Sequence, residues 1–130
     1  MSIELTSLTL VVLFTSLMWM PFIANVVSIR GVGQALGYPE SPAPLDAWAN
    51  RVDRAHRNAV DNLMIFAPLV LVLQLGGVSN DATMLACMVY VVSRVVHFFA
   101  LVFAIPVIKS LSFMLAAVCQ VVLAIAILAA

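Results

Sequence analysis

Charge is what this sequence most lacks. Only 9% of its 130 residues are Asp, Glu, Lys or Arg, against 65% hydrophobic, where soluble domains carry roughly a quarter charged residues. With a mean hydropathy of +1.16, a water-soluble fold has no means of hiding so much apolar surface, and the surrounding solvent is read as lipid. Six basic residues balance six acidic ones, so there is no excess of positive charge to attract nucleic acid. Cysteine is nearly absent as well. Cys87 and Cys119 lie inside apolar runs, without metal-ligand spacing, and read as small packing residues. There is no HExxH, no glycine-rich phosphate loop and no serine–histidine–acid order, which leaves metal and nucleotide chemistry without support. The N-terminus, Met1-Ser2-Ile3-Glu4, lacks the basic region of a secretory signal and leads into too long an apolar run, so the first helix is expected to be retained.

What is present is a series of apolar stretches near the length of about 20 residues that a spanning helix needs. The first runs from about Leu5 to Ile29, with a kink expected near Pro21. A linker from Arg30 to Leu45 follows, holding Gly31, Gly33, Gly37, Pro39, Pro42 and Pro44. Asp46 then reads as an N-cap, and nothing breaks the helix strongly before Gly76-Gly77, although Pro68 is expected to kink it. At about 1.5 Å per residue, 46–75 is some 45 Å long and overshoots a hydrocarbon core of about 30 Å. Counting back about 20 residues from Gly76 puts the membrane boundary near His56. Asn58 and Asp61 then lie inside it, with Arg51 and Arg54 just outside. The short loop 76–81 makes an antiparallel hairpin to a third span, 82–104, which carries Arg94 and His97. Pro106 marks a tight turn into a fourth span, 109–130, interrupted by Gln120. The expectation is a single all-α integral membrane domain, residues 1–130, built as a four-transmembrane-helix bundle.

Basic residues are missing from one end. Arg30, Arg51, Arg54, Arg57 and Lys109 all fall at the end shared by the first and third loops, while the other end holds Glu4 and Asp81. The positive-inside rule puts the basic end in the cytoplasm and both termini on the non-cytoplasmic side.

The polar residues within this apolar chain are the informative ones. At 100° per residue, Arg51, Arg54, Asn58, Asp61 and Asn62 share a stripe, with Arg57 beside it. Guanidinium forks, carboxamides and carboxylates together suit a small anion with several carboxylates. A basic patch touching anionic lipid headgroups is the plainer reading, but it requires no Asn or Asp at helical spacing inside the bilayer, where polar groups are functional by default. Counted from the hairpin loop, Asp61 and Arg94 lie at nearly equal depth, about 17 and 16 residues away, and an ion pair between them, within one subunit or across two, is expected. Asn58 and His97 are expected to face each other one turn higher. Taken alone, His97 reads as an interior histidine.

The run Arg54-Ala55-His56-Arg57-Asn58, followed by Asp61, resembles the second-helix signature of the MAPEG family, which includes microsomal glutathione transferases and the prostaglandin E and leukotriene-forming synthases. Asp61 stands where the family usually has Glu. Arg94-Val95-Val96-His97 is similar to the family's third-helix Arg-x-x-His, and Pro106-Val107-Ile108-Lys109-Ser110 to its Pro-x-Arg-Ser turn. The resemblance covers essentially the whole chain. It implies a bacterial-type homotrimer, in an inner membrane, that binds glutathione as co-substrate between subunits at the cytoplasmic end. Arg30, Arg51, Arg54, Arg57, Asn58, Asp61, Arg94 and His97 form the implied glutathione-binding set. Lys109 takes the thiolate-stabilising role, with Ser110 beside it, and a hydrophobic small-molecule electrophile arrives from the lipid. Two departures stand out: Lys109 replaces arginine, keeping the charge but not the planar fork, and Phe113 and Leu101 stand where several relatives carry tyrosine. A non-catalytic ligand-binding or scaffold protein of the same fold is therefore the main alternative. A small multidrug-type transporter ranks below it, because the first helix offers only Glu4 at its edge.

Overall fold

Five helices make four membrane crossings in the computed structural model, which describes every residue from Met1 to Ala130. Helices α1 (Ile3–Leu17) and α2 (Trp19–Leu36) form the first crossing, with a break at Met18. Pro21 accounts for the break: it has no N–H to offer the carbonyl of Leu17, and its ring crowds that turn. The Met18 N–H instead bonds Thr15 O at 3.3 Å, three residues back. A second interruption falls at Gly31, with φ 79° and ψ 162°, a conformation essentially confined to glycine. Helical geometry then resumes as far as Leu36. Part of the segment read from sequence as the loop 30–45 is thus helical, because only one residue, not the whole glycine-rich stretch, leaves helical space.

The second crossing, α3 (Ala47–Leu75), runs unbroken through Pro68. Asp46 does stand at its N-cap, and its carbonyl accepts from the N–H groups of Ala49 and Asn50. Its carboxylate caps nothing. Asp46 Oδ2 accepts from Asn25 Nδ2 at 2.7 Å, while the Asp46 N–H donates to Asn25 Oδ1 at 3.2 Å. This reciprocal pair fastens the start of α3 to α2.

The third crossing, α4 (Asp81–Val102), opens with a capping box. Asn80 Oδ1 accepts from the N–H groups of Ala82 and Thr83, and Thr83 Oγ1 accepts from the Asn80 N–H. Three orphan donors at the helix start are satisfied in this way. The helix ends in a Schellman turn: the Ile105 N–H bonds Ala100 O at 2.8 Å and the Ala104 N–H bonds Leu101 O at 3.2 Å. The left-handed position of that turn, usually glycine, is held by Ala104 at φ 57°. Pro106 then opens α5 (Pro106–Leu128), where a missing N–H costs nothing.

In lipid the hydrophobic effect no longer drives helix against helix, and close packing of small residues does the work. The inward stripe of α3 has Ala55 and Ala59 in its basic half, then Asn62, Phe66, Val70 and Leu73. Ala86, Cys87, Ala116 and Cys119 allow α4 and α5 to close on it. The two cysteines are free and buried. Large apolar side chains point outward instead: Met64 is 72% exposed and Leu75 87%, which is tolerable only against acyl chains.

Candidate functional site

The end of α2, the start of α3, the end of α4 and the start of α5 meet at one end of the bundle, and the candidate ligand-binding residues read from sequence lie in the halves of these helices toward that end. They divide by what each side chain is bonded to.

Several basic residues are tied to the protein itself. Arg51 Nε donates to Val102 O at 2.8 Å. That carbonyl closes α4, and the residue four further on, which would supply its N–H in a continuing helix, is Pro106. Arg51 is therefore its replacement donor, at the negative end of the helix dipole. Arg30 Nε donates to Ala43 O at 2.9 Å, pinning the irregular linker. Arg57 pairs with Asp53 at 3.1 Å, one turn apart, in the chain's one ion pair. With the arginine side chain 77% exposed, such a pair contributes a few tenths of a kcal/mol at most.

Others are unspent. Arg54 and Asp61 are exposed and bond nothing in the chain, and the Lys109 ammonium is likewise exposed and unpaired. Ser110, beside it, is exposed, with its hydroxyl 3.5 Å from Pro106 O, the outer limit of a hydrogen bond.

A third group lies behind these. Arg94 is 2% exposed, and its Nη2 donates to Asn58 Oδ1 at 2.7 Å. The expected ion pair with Asp61 is not formed within the chain: the partner is Asn58, one turn closer to the basic end. Counting along helices gives depth but not azimuth. Asp61 is turned about 100° around α3 from the inward-facing Asn62, which carries its carboxylate outward, whereas Asn58 flanks the inward stripe. His97 makes no hydrogen bond to Asn58 either. It is 5% exposed, and its Nδ1 lies 2.8 Å from the main-chain oxygen of Lys109. A carbonyl can only accept, so Nδ1 carries the proton and Nε2 is left as an acceptor. Both Arg94 Nη1 and His97 Nε2 are enclosed without a partner. Neither atom opens onto the chain's surface, unlike the exposed groups of Arg54, Asp61 and Lys109.

The sequence reading missed Ser112 altogether and left Gln120 and Glu4 without partners. Ser112 donates to Ile108 O at 2.7 Å and sits 3.4 Å from His97 Nδ1; as one small residue in an apolar helix it gave no signal. Gln120 Nε2 bonds Asn62 O at 3.2 Å and ties α5 to α3. At the opposite end, Glu4 is completely buried rather than at an exposed edge, with the hydroxyls of Ser79 and Thr83 each 2.8 Å from its Oε1. The apolar seam between α4 and α5 also holds an open groove of about 550 Å³, with Ser93 and Ser112 among its lining residues.

Compared with known families, residues 7–129 match the model of the MAPEG family, nearly the whole chain. The chain belongs to the MAPEG family. Membership makes it an integral membrane protein of a group concerned with glutathione and eicosanoid metabolism, in keeping with four helices long and apolar enough to cross a bilayer. No curated protein and no solved structure matches it. Within a MAPEG chain, the unspent polar groups of α3 and α5 are the candidate ligand-binding surface.

Proposed function

We propose that this MAPEG protein binds glutathione at the basic end of its bundle, between neighbouring copies of a homotrimer, and activates the thiol for reaction with a hydrophobic electrophile. The observation that carries this reading is the separation of roles among the basic residues. Arg51 and Arg30 are consumed by main-chain carbonyls, while Arg54, Asn58 and Lys109 keep donors free at the same end. A tripeptide with two carboxylates and several carbonyls fits such a donor-rich surface. Arg54 and Asn58, one turn apart on a long helix, would hold its carboxylate and peptide groups. Asp61, exposed one turn below, would accept from its ammonium.

Lys109 opens the fourth crossing, and its ammonium would lie against the thiol. A cation there favours thiolate over thiol, and the released proton leaves to solvent at the open end. The thiolate is then the nucleophile. The groove between α4 and α5 supports an approach from the lipid, because Ser112 links it to His97 and so to the main chain of Lys109. The basic end would face the cytoplasm and both termini the other side.

Lys109 also favours the second reading, a glutathione-binding protein without turnover, since an ammonium lacks the two-pronged geometry of the arginine it replaces. Titrating glutathione into purified protein while following thiolate absorbance separates the two. Saturable thiolate formation supports the enzyme; binding without thiolate supports the scaffold; no binding refutes both.

A further inference from the structure

Arg94 is a costly residue for a membrane helix: a guanidinium 2% exposed, inside a membrane span, with no carboxylate within ion-pair distance and one nitrogen wholly without a partner. Its single bond goes from Nη2 to Asn58 Oδ1 at 2.7 Å. A guanidinium can only donate, so the carboxamide atom facing it has to be the oxygen. The same oxygen lies 3.4 Å from Asn62 Nδ2, a second donor. Two donors on one side forbid the flipped carboxamide. The Asn58 NH₂ group is therefore turned away from the core, where it bonds nothing in the chain and is not among the enclosed atoms.

We infer that Arg94 is a positioning residue that locks the Asn58 carboxamide so that its two N–H donors face the ligand, making this position selective for an acceptor, a carboxylate or carbonyl oxygen. This rests on the glutathione reading above and adds to it a direction: the site presents donors here and rejects a ligand donor. Without Arg94 only the more distant Asn62 Nδ2, at 3.4 Å, holds the carboxamide oxygen inward, and orientations that offer an oxygen to an anionic ligand become accessible.

Asn58→Asp isolates the claim. The carboxylate still accepts from Arg94, now as an ion pair, so the fold is retained, but the outward N–H donors become an oxygen. Glutathione binding, measured by calorimetry on the detergent-solubilised protein, is expected to fall by about 10- to 100-fold, further than in Asn58→Ala. Arg94→Met removes the lock and an unpaired buried charge together. Its binding is expected to weaken several-fold while resistance to unfolding holds or rises, and Arg94→Lys, still a pure donor, restores binding. Parent-like binding by Asn58→Asp overturns the inference, as does a parallel loss of binding and stability in Arg94→Met that Arg94→Lys fails to rescue. A parent protein that does not bind glutathione refutes the function proposed above and this inference with it. Binding by the parent with an undiminished Asn58→Asp refutes this inference alone.

Discussion

Arg51 and Arg54 sit one turn apart on α3, carry the same charge and are indistinguishable by sequence pattern, yet the structure gives them different work. Arg51→Met removes the donor to Val102 O, and Pro106 ensures that no main-chain N–H takes its place. A hydrogen bond from a charged donor contributes about 1.5–3 kcal/mol when buried. Arg51 is half-buried, so water recovers part of that, leaving a loss of about 1–2 kcal/mol, including the dipole interaction of a cation with the end of α4. Methionine keeps the apolar stem, so packing is little changed. Arg54→Met, by contrast, removes an exposed side chain that bonds nothing in the chain and is expected to alter stability by no more than about 0.5 kcal/mol. Its glutathione affinity is expected to fall by about 10- to 100-fold, while folded Arg51→Met binds nearly as the parent does. Reversible unfolding in mixed micelles, paired with calorimetric titration normalised to folded protein, reads both quantities. If Arg51→Met abolishes binding at parent-like stability, the assignment of Arg51 to the end of α4 is wrong.

Lys109→Ala is expected to bind glutathione almost normally, while the thiol pKa of the bound ligand returns toward its free value of about 8.5; the pH dependence of thiolate absorbance measures this. Interactions felt equally by ground and transition states alter KM, and those stronger in the transition state alter kcat, so Arg54→Ala should act mainly on KM and Lys109→Ala on kcat. Ala104→Gly relieves a left-handed alanine at φ 57°. That conformation costs an L-residue about 1–2 kcal/mol, against about 0.5–1 kcal/mol of extra glycine entropy, so a small net gain in unfolding resistance is expected and a clear loss would contradict the turn. Native mass spectrometry from detergent is expected to give a trimer; monomers or dimers alone would remove the subunit interface from the proposed site.

The gross architecture was legible because lipid leaves the sequence few choices. Spans must be long and apolar, and Gly76-Gly77 and Pro106 mark turns that no span crosses. The breaks inside the first crossing were less legible. Pro21 announced a kink, but helix on both sides of Gly31 is decided by a single dihedral that composition does not encode. The site was readable in depth and not in azimuth. Counting from the hairpin brought Arg94 level with Asp61 and put Asn58 one turn higher, yet which of the two α3 residues meets Arg94 depends on where the alanine stripe of α3 faces. Arg51 was grouped with the ligand-binding residues because a stripe on a helix says nothing about a carbonyl at the end of another helix. The clue was present in Pro106, which strips Val102 of its donor. His97 reads as an interior histidine, and its contact with the Lys109 carbonyl follows from a tight Schellman turn that Ala104, not glycine, occupies and so conceals.

The central claim, that the unspent donors at the basic end bind glutathione and stabilise its thiolate, is met most directly by an ultraviolet difference spectrum. Purified protein is titrated with glutathione near neutral pH, and the absorbance of the thiolate is followed. The expected result is a thiolate band that rises with glutathione, saturates, and disappears in Lys109→Ala while binding heat remains. A flat difference spectrum from the parent, with no binding heat at millimolar glutathione, would contradict the claim.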